Sequence, residues 1–335
     1  MTNLMLIGEA WGKDEEPVQR PFVGKAGWLL NGLLAQAGIR REECYVTNVF
    51  NLRPKPTDDV KNLCGPKVDG IPGMPALVPG KYVKAQYLPH LTRLYKEIEV
   101  ERPNLIVALG VTASWALMRQ TVTINSIRGS IGWSKHVGTK ILPTYHPAGI
   151  FRDYSGKPIL FADLCKAKGE ALFPELRLPV REVWTAPTPE DLLAFESSYI
   201  TPSSQLSIDI ETMGEMISCI GFAPDAQHAI VVPFYDAEKK SGNYWDTLEE
   251  EVDAMSWVRR MCSLPKRMIF QNGLFDIQRL WRYGIPVPGA EDDTMLLHHA
   301  LQPEMRKSLG FLASVYSNEP SWKFMRKSMK KEDAE

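Results

Sequence analysis

Residues 4–12, with the sequence LMLIGEAWG, decide the fold class of the first half of the chain. The apolar run 4–7 predicts a short buried strand that ends at Gly8 and is followed at once by the carboxylate of Glu9. Beyond it, apolar segments of strand length alternate with segments of helical spacing as far as a strand at 140–145. This alternation predicts an α/β fold with a mostly parallel sheet, whose ligand sites lie at the carboxyl ends of the strands.

A proline-rich stretch separates this half from a second series of strands and helices. Four prolines interrupt the chain around 173–189, at Pro174, Pro179, Pro187 and Pro189. We therefore predict two domains, at 1–178 and 179–335. Half of the positions in 65–80 are glycine or proline, which predicts an irregular surface loop within the first domain.

The composition excludes several classes of protein. A hydrophobic fraction of 44% with 24% charged residues is ordinary for a globular chain and argues against disorder. No apolar run reaches the ~18–20 residues of a membrane span, and the N-terminus lacks a signal-peptide pattern. Five scattered cysteines without a C-x-x-C pair argue against a disulfide framework or a zinc ribbon. We expect a cytoplasmic protein with no membrane association.

The net charge of −1 hides an asymmetry between the two halves. Residues 1–178 contain 23 Lys and Arg against 16 Asp and Glu, whereas residues 179–335 contain 16 against 24. A basic half suits a polyanion such as DNA, and an acidic half suits clustered carboxylates that bind metal ions. Chance surface composition is an alternative that charge alone leaves open.

Four chemically distinct side chains follow predicted strands of the first half or lie between them. They are Glu9 in GEAWG, Phe22 in RPFVGKAG, Asn48 in YVTN and His146 in YHPA. Each has an ordinary structural explanation when taken singly, as a cap, a turn residue or a core side chain. Together and in this order they predict one site at the edge of the sheet.

These stretches resemble the uracil-DNA glycosylase superfamily, in particular its family 4 branch. The resemblance covers residues 8–152 and includes RPFVGKAGWLL, YVTNVFNLRP, NLIVALG, an Arg-Gly pair at 128–129 and LPTYHPAGIFR. It implies a three-layer αβα domain with a central parallel sheet that acts on uracil-containing DNA.

The resemblance also implies roles for individual residues. Glu9 would activate water or stabilise the sugar cation, and His146 would hydrogen-bond the departing uracil anion. Asn48 would read the edge of the base, and Phe22 would stack on it. Three further residues are expected to bind substrate: Glu15, Arg53 and Arg152. The chemistry agrees, because a carboxylate and a donor stabilise charges that develop only in the transition state.

Two departures from the family pattern concern Trp11 and the cysteines. Trp11 stands where the family motif GExPG has proline, and its ring would fill space, wedge into DNA or partly block the site. Family 4 enzymes hold an iron–sulfur cluster on four cysteines. Only seven residues precede Gly8, Leu52 stands at the third cysteine position, and the fourth aligns near Lys84. We therefore expect no iron–sulfur cluster.

The second half contains three carboxylates in a pattern typical of metal sites. Asp209 and Glu211 lie two apart on a predicted strand and so share a face, and Asp276 lies on a helix that follows another strand. A carboxylate set of this kind could hold Mg²⁺ or Mn²⁺ for phosphodiester hydrolysis.

This half resembles the DnaQ-like proofreading 3′–5′ exonuclease of family A DNA polymerases, which has a ribonuclease H-like α/β fold. The matching stretches are REVWTAPTPEDL, SIDIET, NGLFD, DTMLL and SLGFLA, between residues 181 and 313. The family's third motif, Y-x-x-x-D, is not found after Tyr316, so we expect a domain that lacks its C-terminal part. The exonuclease should be weak or silent in this chain alone, and Asp293 should be a helix cap.

A glycosylase-like domain followed by a proofreading domain resembles the front part of certain bacteriophage DNA polymerases. The favoured interpretation is a replication or repair enzyme that excises uracil, with a separate polymerase subunit as a partner that completes the exonuclease. The alternative is a catalytically degraded DNA-binding and docking module. A nucleotide-binding Rossmann domain is disfavoured, because no G-x-G-x-x-G follows a strand.

Overall fold

The computed structural model describes residues 3–289 and 291–319, which form two compact units. The first unit contains the chain up to Leu178 together with 310–319, and the second runs from Pro179 to Leu309. In the described ranges, no helix combines the length and the apolarity needed to cross a bilayer.

The described part of the first unit is built on a five-stranded sheet and a two-stranded ribbon. Its strands are β1 (Leu4–Ala10), β2 (Cys44–Phe50), β3 (Cys64–Gly65), β4 (Tyr82–Val83), β5 (Leu105–Leu109), β6 (Gly132–Ser134) and β7 (Thr139–Thr144). The sheet order is β2-β1-β5-β7-β6, and all neighbours except β6 and β7 are parallel. The predicted mostly parallel sheet is confirmed.

Helices cover both faces of this sheet. They are α1 (Lys25–Gln36), α2 (Leu88–Glu101), α3 (Val111–Met118), α4 (Ile124–Ile127), α5 (Pro147–Ile150) and α6 (Gly156–Glu170). One core packs α1 and α6 on the sheet through residues such as Leu34 and Leu164, and the other packs α2 and α3 on the opposite face. The three-layer αβα arrangement is therefore confirmed.

The glycine- and proline-rich segment 65–80 is attached to the core by three of its side chains. Ile71, Met74 and Leu77 are buried in the same cluster as α2 and α3. The indole N–H of Trp115 donates a hydrogen bond of 3.0 Å to the carbonyl of Pro75. The rest of the segment is irregular and mostly exposed, as the prediction of a surface loop requires, and the three apolar side chains anchor it to the core.

The second unit has its own mixed sheet. The strands are β8 (Glu182–Trp184), β9 (Gln205–Met213), β10 (Met216–Ala223), β11 (His228–Pro233), β12 (Arg267–Phe270) and β13 (Glu291–Asp293). The described helices are α7 (Pro189–Phe195), which continues in a π turn at Glu196–Ile200, α8 (Leu248–Cys262), α9 (Gly273–Arg282) and α10 (Thr294–Leu301). The sheet order is β13-β12-β9-β10-β11-β8, with β9, β10 and β11 antiparallel.

A last helix, α11 (Leu309–Tyr316), carries the chain back to the first unit. The Arg128 guanidinium donates to the Ser314 hydroxyl at 2.8 Å, and the Lys166 ammonium donates to the carbonyls of Ser314 and Ser317 at 2.7 Å each. The second unit thus ends before 310–319, which packs with polar groups of the first unit, whereas the domain predicted at 179–335 includes this segment. The tail 320–335 lies outside the described residues.

Candidate active site

Two of the predicted site residues, Asn48 and Phe22, meet around Gly8. Asn48 is the parallel-sheet partner of Gly8, and both lie near the carboxyl ends of adjacent strands. A Cβ atom at Gly8 would lie 2.2 Å from the Asn48 side-chain oxygen and 2.5 Å from Cζ of Phe22. Only glycine therefore allows the amide and the phenyl ring to pack against the backbone of β1 at this point.

The backbone of Phe22 is held in an unusual conformation by Glu15. Phe22 has a φ of 56°, and its buried ring lies under the sheet edge. The Glu15 carboxylate accepts the N–H of Phe22 at 2.7 Å and that of Gly12 at 3.0 Å. Burial raises the pKa of Glu15, and these N–H groups oppose the rise. We expected Glu15 to bind substrate, but its carboxylate is buried and occupied by the loop backbone.

Glu9 follows Gly8 on β1 and is partly buried. Its carboxylate accepts a hydrogen bond from the hydroxyl of Thr112. Burial raises the pKa of Glu9 above the usual value for a glutamate, and the Thr112 hydroxyl is the strongest influence in the opposite direction. The positive charges of Arg152 and Lys61 also favour the carboxylate. Thr112 and Lys61 were not among the predicted site residues.

His146 caps the start of α5, directly after β7. Its Nδ1 accepts the backbone N–H of Ala148 at 3.2 Å, and its ring centroid lies 5.7 Å from that of Phe22. Burial and the nearby charge of Arg152 lower the pKa of His146 to about 4. The imidazole is therefore neutral at physiological pH. Because Nδ1 accepts a hydrogen bond, the ring proton is assigned to Nε2, which becomes a donor.

Asn48 is almost fully buried, with 1% of its surface exposed. Its side-chain nitrogen has no hydrogen-bond partner among the described residues. The carbonyl of Asn48 accepts a hydrogen bond of 2.6 Å from Arg93, which also donates to the Thr47 hydroxyl at 3.0 Å. Arg93 thus fixes the end of β2, and no motif in the sequence pointed to it.

Of the two predicted arginines, only Arg152 is brought close to Glu9 and His146. Arg152 is exposed, and its charge acts on the carboxyl of Glu9 and the imidazole of His146. The Arg53 guanidinium is paired with Asp58 at 2.6 Å and faces Glu16 at 3.7 Å. It is therefore engaged by carboxylates of its own loops.

Trp11 lies two residues beyond Glu9 and is half-buried. Its backbone N–H donates to the carbonyl of Leu52 at 3.1 Å. The indole nitrogen is buried without a hydrogen-bond partner in the described structure. The ring therefore packs at the end of β1 with its polar atom out of water.

The cysteines of the first unit do not fit an iron–sulfur cluster. Cys44 packs with the core under α1 and α6, whereas Cys64 packs with the core on the opposite face of the sheet. Leu52, at the position expected of a cluster cysteine, also packs in the latter core. Burial raises the pKa of both thiols, to about 11 for Cys44, which disfavours the thiolates that ligate iron.

The second unit places two of its three predicted metal ligands on one exposed face. Asp209 and Glu211 alternate along β9 with the buried side chains of Ile208 and Ile210. Asp276 is buried on α9, and its carboxylate accepts the backbone N–H of Ile210 at 3.1 Å. Its pKa is raised to about 6 by burial and by the charges of Asp209 and Asp293.

These carboxylates do not form a ready metal site. Across 3–289 and 291–319, no three His, Cys, Asp or Glu side chains are grouped so that they could hold a metal ion. Asp293 accepts the N–H groups of Gly273 and Met295, both at 2.8 Å, and so caps α10 as predicted.

Solved structures similar to this chain include ribonucleases. The chain is similar to RNase D of Trypanosoma brucei in complex with RNA U12, with a TM-score of 0.35 and 15% identity over 44% of this chain and 51% of that one. It is also similar to Escherichia coli RNase D, an exoribonuclease, with a TM-score of 0.31 and 15% identity over 42% of this chain and 34% of that one. The chain thus spans about half or less of these two structures.

Comparison with protein sequences gives a clear match for the first unit. Type-4 uracil-DNA glycosylase of Thermotoga maritima is 35% identical over 175 residues, which cover 50% of this chain and 77% of that protein. The enzyme of Archaeoglobus fulgidus is 30% identical over 188 residues, which cover 51% and 80%. The family model described as uracil DNA glycosylase superfamily matches residues 1–169, which include Glu9, Phe22, Asn48 and His146. This match covers half of the sequence and the whole group of strand-end side chains, and the chain belongs to the uracil-DNA glycosylase superfamily.

Proposed function

We propose that the first unit removes uracil from DNA by hydrolysing the N-glycosidic bond. The observation that carries the proposal is the meeting of four different groups at neighbouring strand ends. A carboxylate, a neutral imidazole, a buried amide with an unpartnered N–H and a phenyl ring lie around Gly8 and the start of α5. Water adds to the sugar carbon C1′, and the bond to uracil breaks with its electron pair leaving on the base.

The two charged centres of this reaction match two groups of the site. The sugar becomes positive in the transition state, and the carboxylate of Glu9 stabilises that charge and accepts a proton from the attacking water. The uracil ring becomes negative, and the Nε2–H of neutral His146 donates to it. A neutral donor suits this role, because its proton stays on the protein while the base leaves as an anion.

Recognition of the base is assigned to Asn48 and Phe22. A buried amide N–H without a partner costs roughly 1–3 kcal/mol, and this cost is relieved when the N–H donates to the carbonyl oxygen of a bound base. The amide oxygen can accept the ring N–H of uracil, whereas cytosine offers no donor at that position. The ring of Phe22 replaces the stacking that a base loses when it leaves the duplex.

The proposal is tested with an oligonucleotide that contains a single uracil. The full chain should generate alkali-labile abasic sites, and Glu9→Gln should abolish or strongly reduce them. His136→Ala is a matched histidine control, because His136 precedes β7 at the opposite end of the sheet. Wild-type protein that binds this DNA without forming abasic sites would overturn the proposal and favour a DNA-binding module.

For the second unit we propose a nuclease-like domain that is weak or silent in this chain. The order of strands and the carboxylates Asp209, Glu211 and Asp276 support the nuclease-like assignment. Asp276 is occupied by the backbone of β9, and the carboxylates are not grouped to hold an ion. Mg²⁺ or Mn²⁺ would be held by these three carboxylates if further ligands were supplied.

A single-stranded oligonucleotide labelled at its 5′ end tests this assignment. With Mg²⁺ or Mn²⁺ present, the wild-type chain should leave it almost intact. Efficient shortening from the 3′ end that disappears in Asp209→Ala would show that the site is complete. Asp246→Ala serves as the control, because Asp246 is an exposed aspartate of the same unit that is paired with Lys239.

We also propose that the chain holds no iron–sulfur cluster. The separation of Cys44 and Cys64 between the two cores supports this. Protein purified without exposure to air should be colourless. Absorbance near ~400 nm, which thiolate-bound clusters show, together with bound iron would contradict the proposal.

A place in DNA replication is the last part of the proposal. A glycosylase unit and a DnaQ-like unit in one chain resemble the front part of a family A polymerase of a bacteriophage, and a polymerase polypeptide would be the partner. Co-purification with such a polypeptide, and a gain of 3′ trimming in the complex, would support this context. Failure to associate at micromolar concentrations would argue against it.

A further inference from the structure

Thr112 is a buried polar residue beside the proposed site. It is the second residue of α3, which follows the central strand β5, and 1% of its surface is exposed. Its hydroxyl donates to Oε2 of Glu9. The hydrogen bond joins β1, which carries Glu9, to the helix that follows the neighbouring strand β5.

We propose that Thr112 is a positioning residue for Glu9. Its hydroxyl fixes one carboxylate oxygen of Glu9, so that the other oxygen faces the reacting water and sugar. As a hydrogen-bond donor it also favours the charged carboxylate. The inference rests on the proposed glycosylase function and assigns a role to a residue that touches neither DNA nor uracil. A hydroxyl on α3 is well suited to it, because a helix packed on the sheet holds its side chains rigidly.

The environment of Glu9 shows why such a donor matters. Burial disfavours the charged carboxylate, and the negative charge of Asp59 acts in the same direction. Arg152 and Lys61 act in the opposite direction through their positive charges, and among the residues that the structure describes Thr112 alone does so through a side-chain hydrogen bond. Two other titratable groups nearby, Cys64 and His146, carry no charge at neutral pH because burial disfavours their ionised forms.

The sign of the expected effect follows from hydrogen bonding. A donor that binds the carboxylate favours its charged form, so removal of the donor should raise the pKa of Glu9 further. Excision that needs ionised Glu9 would then require a higher pH. The loss of excision rate in a variant without the Thr112 hydroxyl should be largest at acidic pH and should shrink as the pH rises. A misfolded site would lose activity at every pH.

Single-turnover excision by wild type, Thr112→Val and Thr112→Ser between about pH 5 and 9 tests the inference. Valine preserves the shape of threonine without the hydroxyl, and serine preserves the hydroxyl. In Thr112→Val the acidic limb of the profile should move up by about one pH unit, which is about a tenfold loss on that limb. Thr112→Ser should follow the wild-type profile. A Thr112→Val profile that coincides with wild type, or a loss that is equal at every pH, would overturn the inference.

A second measurement separates this inference from the proposed function. In protein labelled with ¹³C at glutamate carboxyls, the Glu9 resonance is identified by its absence in Glu9→Gln and is titrated directly. Its midpoint should be higher in Thr112→Val than in wild type. An unchanged midpoint overturns the inference even if uracil is excised. A raised midpoint supports it even if the wild type excises nothing, in which case only the proposed function fails.

Discussion

Asp163 in the first unit and Asp276 in the second are both buried aspartates, and in both burial raises the pKa to about 6. The charges of the neighbouring side chains differ in sign. Asp163 accepts hydrogen bonds from the Arg128 guanidinium at 3.2 Å and the Thr144 hydroxyl at 2.6 Å. Asp276 accepts a backbone N–H and faces the negative charges of Asp209 and Asp293.

The difference indicates what each carboxylate does in the fold. A buried charge is tolerated when an opposite charge and hydrogen bonds compensate its loss of hydration. The surroundings of Asp163 supply both, so this group is complete without a ligand and acts as a structural pair. Asp276 has like charges nearby, so it binds a proton more readily or needs a cation. The same raised pKa thus belongs to a charge-compensated pair in one unit and to a carboxylate beside like charges in the other.

The largest effect is expected from removing the cation beside Asp163. Arg128→Met should destabilise the first unit by about 3–5 kcal/mol at pH 7, because it removes the hydrogen-bonded partner of a buried aspartate and leaves only the more distant influence of Lys166. The loss should be smaller below about pH 6, where Asp163 is protonated and no longer needs the guanidinium. Thermal unfolding at pH 7 and pH 5 measures both effects.

The double variant Arg128→Met with Asp163→Asn is the matched control for this experiment. It removes both charges and should recover much of the stability that the single variant loses at pH 7. A double variant no more stable than Arg128→Met would show that packing around Arg128, including its position 5.0 Å from the ring of Phe311, matters more than charge.

A smaller effect is expected at Ser314, on the segment that returns to the first unit. Its hydroxyl accepts from Arg128 and donates to the carbonyl of Phe311, so Ser314→Ala should cost about 1–2 kcal/mol. Thermal unfolding compared with Ser317→Ala, whose hydroxyl bonds only within its own segment, measures the contribution. Equal stability of the two variants would argue that 310–319 is not an integral part of this unit.

The sequence predicted most of the first unit because its strands are short apolar runs and its site lies at their ends. The strand predicted over 4–7 is observed as Leu4–Ala10, and the strand predicted at 140–145 is observed as Thr139–Thr144. In contrast, helix α2 begins only at Leu88, because Tyr82–Val83 before it pairs with β3. Such pairing depends on a distant segment and leaves no local pattern.

Other features were inaccessible because they depend on tertiary contacts. The helix at 309–316 has ordinary helical spacing, and nothing in it shows that it packs beside Arg128 and Lys166 rather than on its sequence neighbours. Gly129 also depends on this contact, because its φ is 73° and an added Cβ would lie 2.7 Å from the carbonyl oxygen of Ser314. The hydrogen bond between Thr112 and Glu9 likewise joins residues 103 apart in the chain.

The smallest effect, and the sharpest test of the contrast between the two aspartates, is expected at Asp276. An unfolded aspartate has a pKa near ~3.9, so a folded pKa of about 6 means that the folded state holds its proton more tightly. Stability must then fall as the pH rises from 4 through 6, and it stays lower above that range.

Asp276→Asn removes this penalty and keeps an oxygen for the N–H of Ile210. The variant should match the stability of wild type near pH 4 and exceed it by about 1 kcal/mol at pH 7. This gain is smaller than the pKa shift alone would give, because the new amide N–H groups need acceptors. Thermal unfolding at the two pH values measures the difference. Asp163→Asn is the opposite case, because it leaves the buried guanidinium of Arg128 without its carboxylate and should lose stability at pH 7. If Mg²⁺ stabilises wild type but not Asp276→Asn, a cation has taken the place of the proton, and Asp276 is a metal ligand. If Asp276→Asn is less stable than wild type at pH 7 without metal, the neighbouring negative charges are already compensated, and the contrast with Asp163 fails.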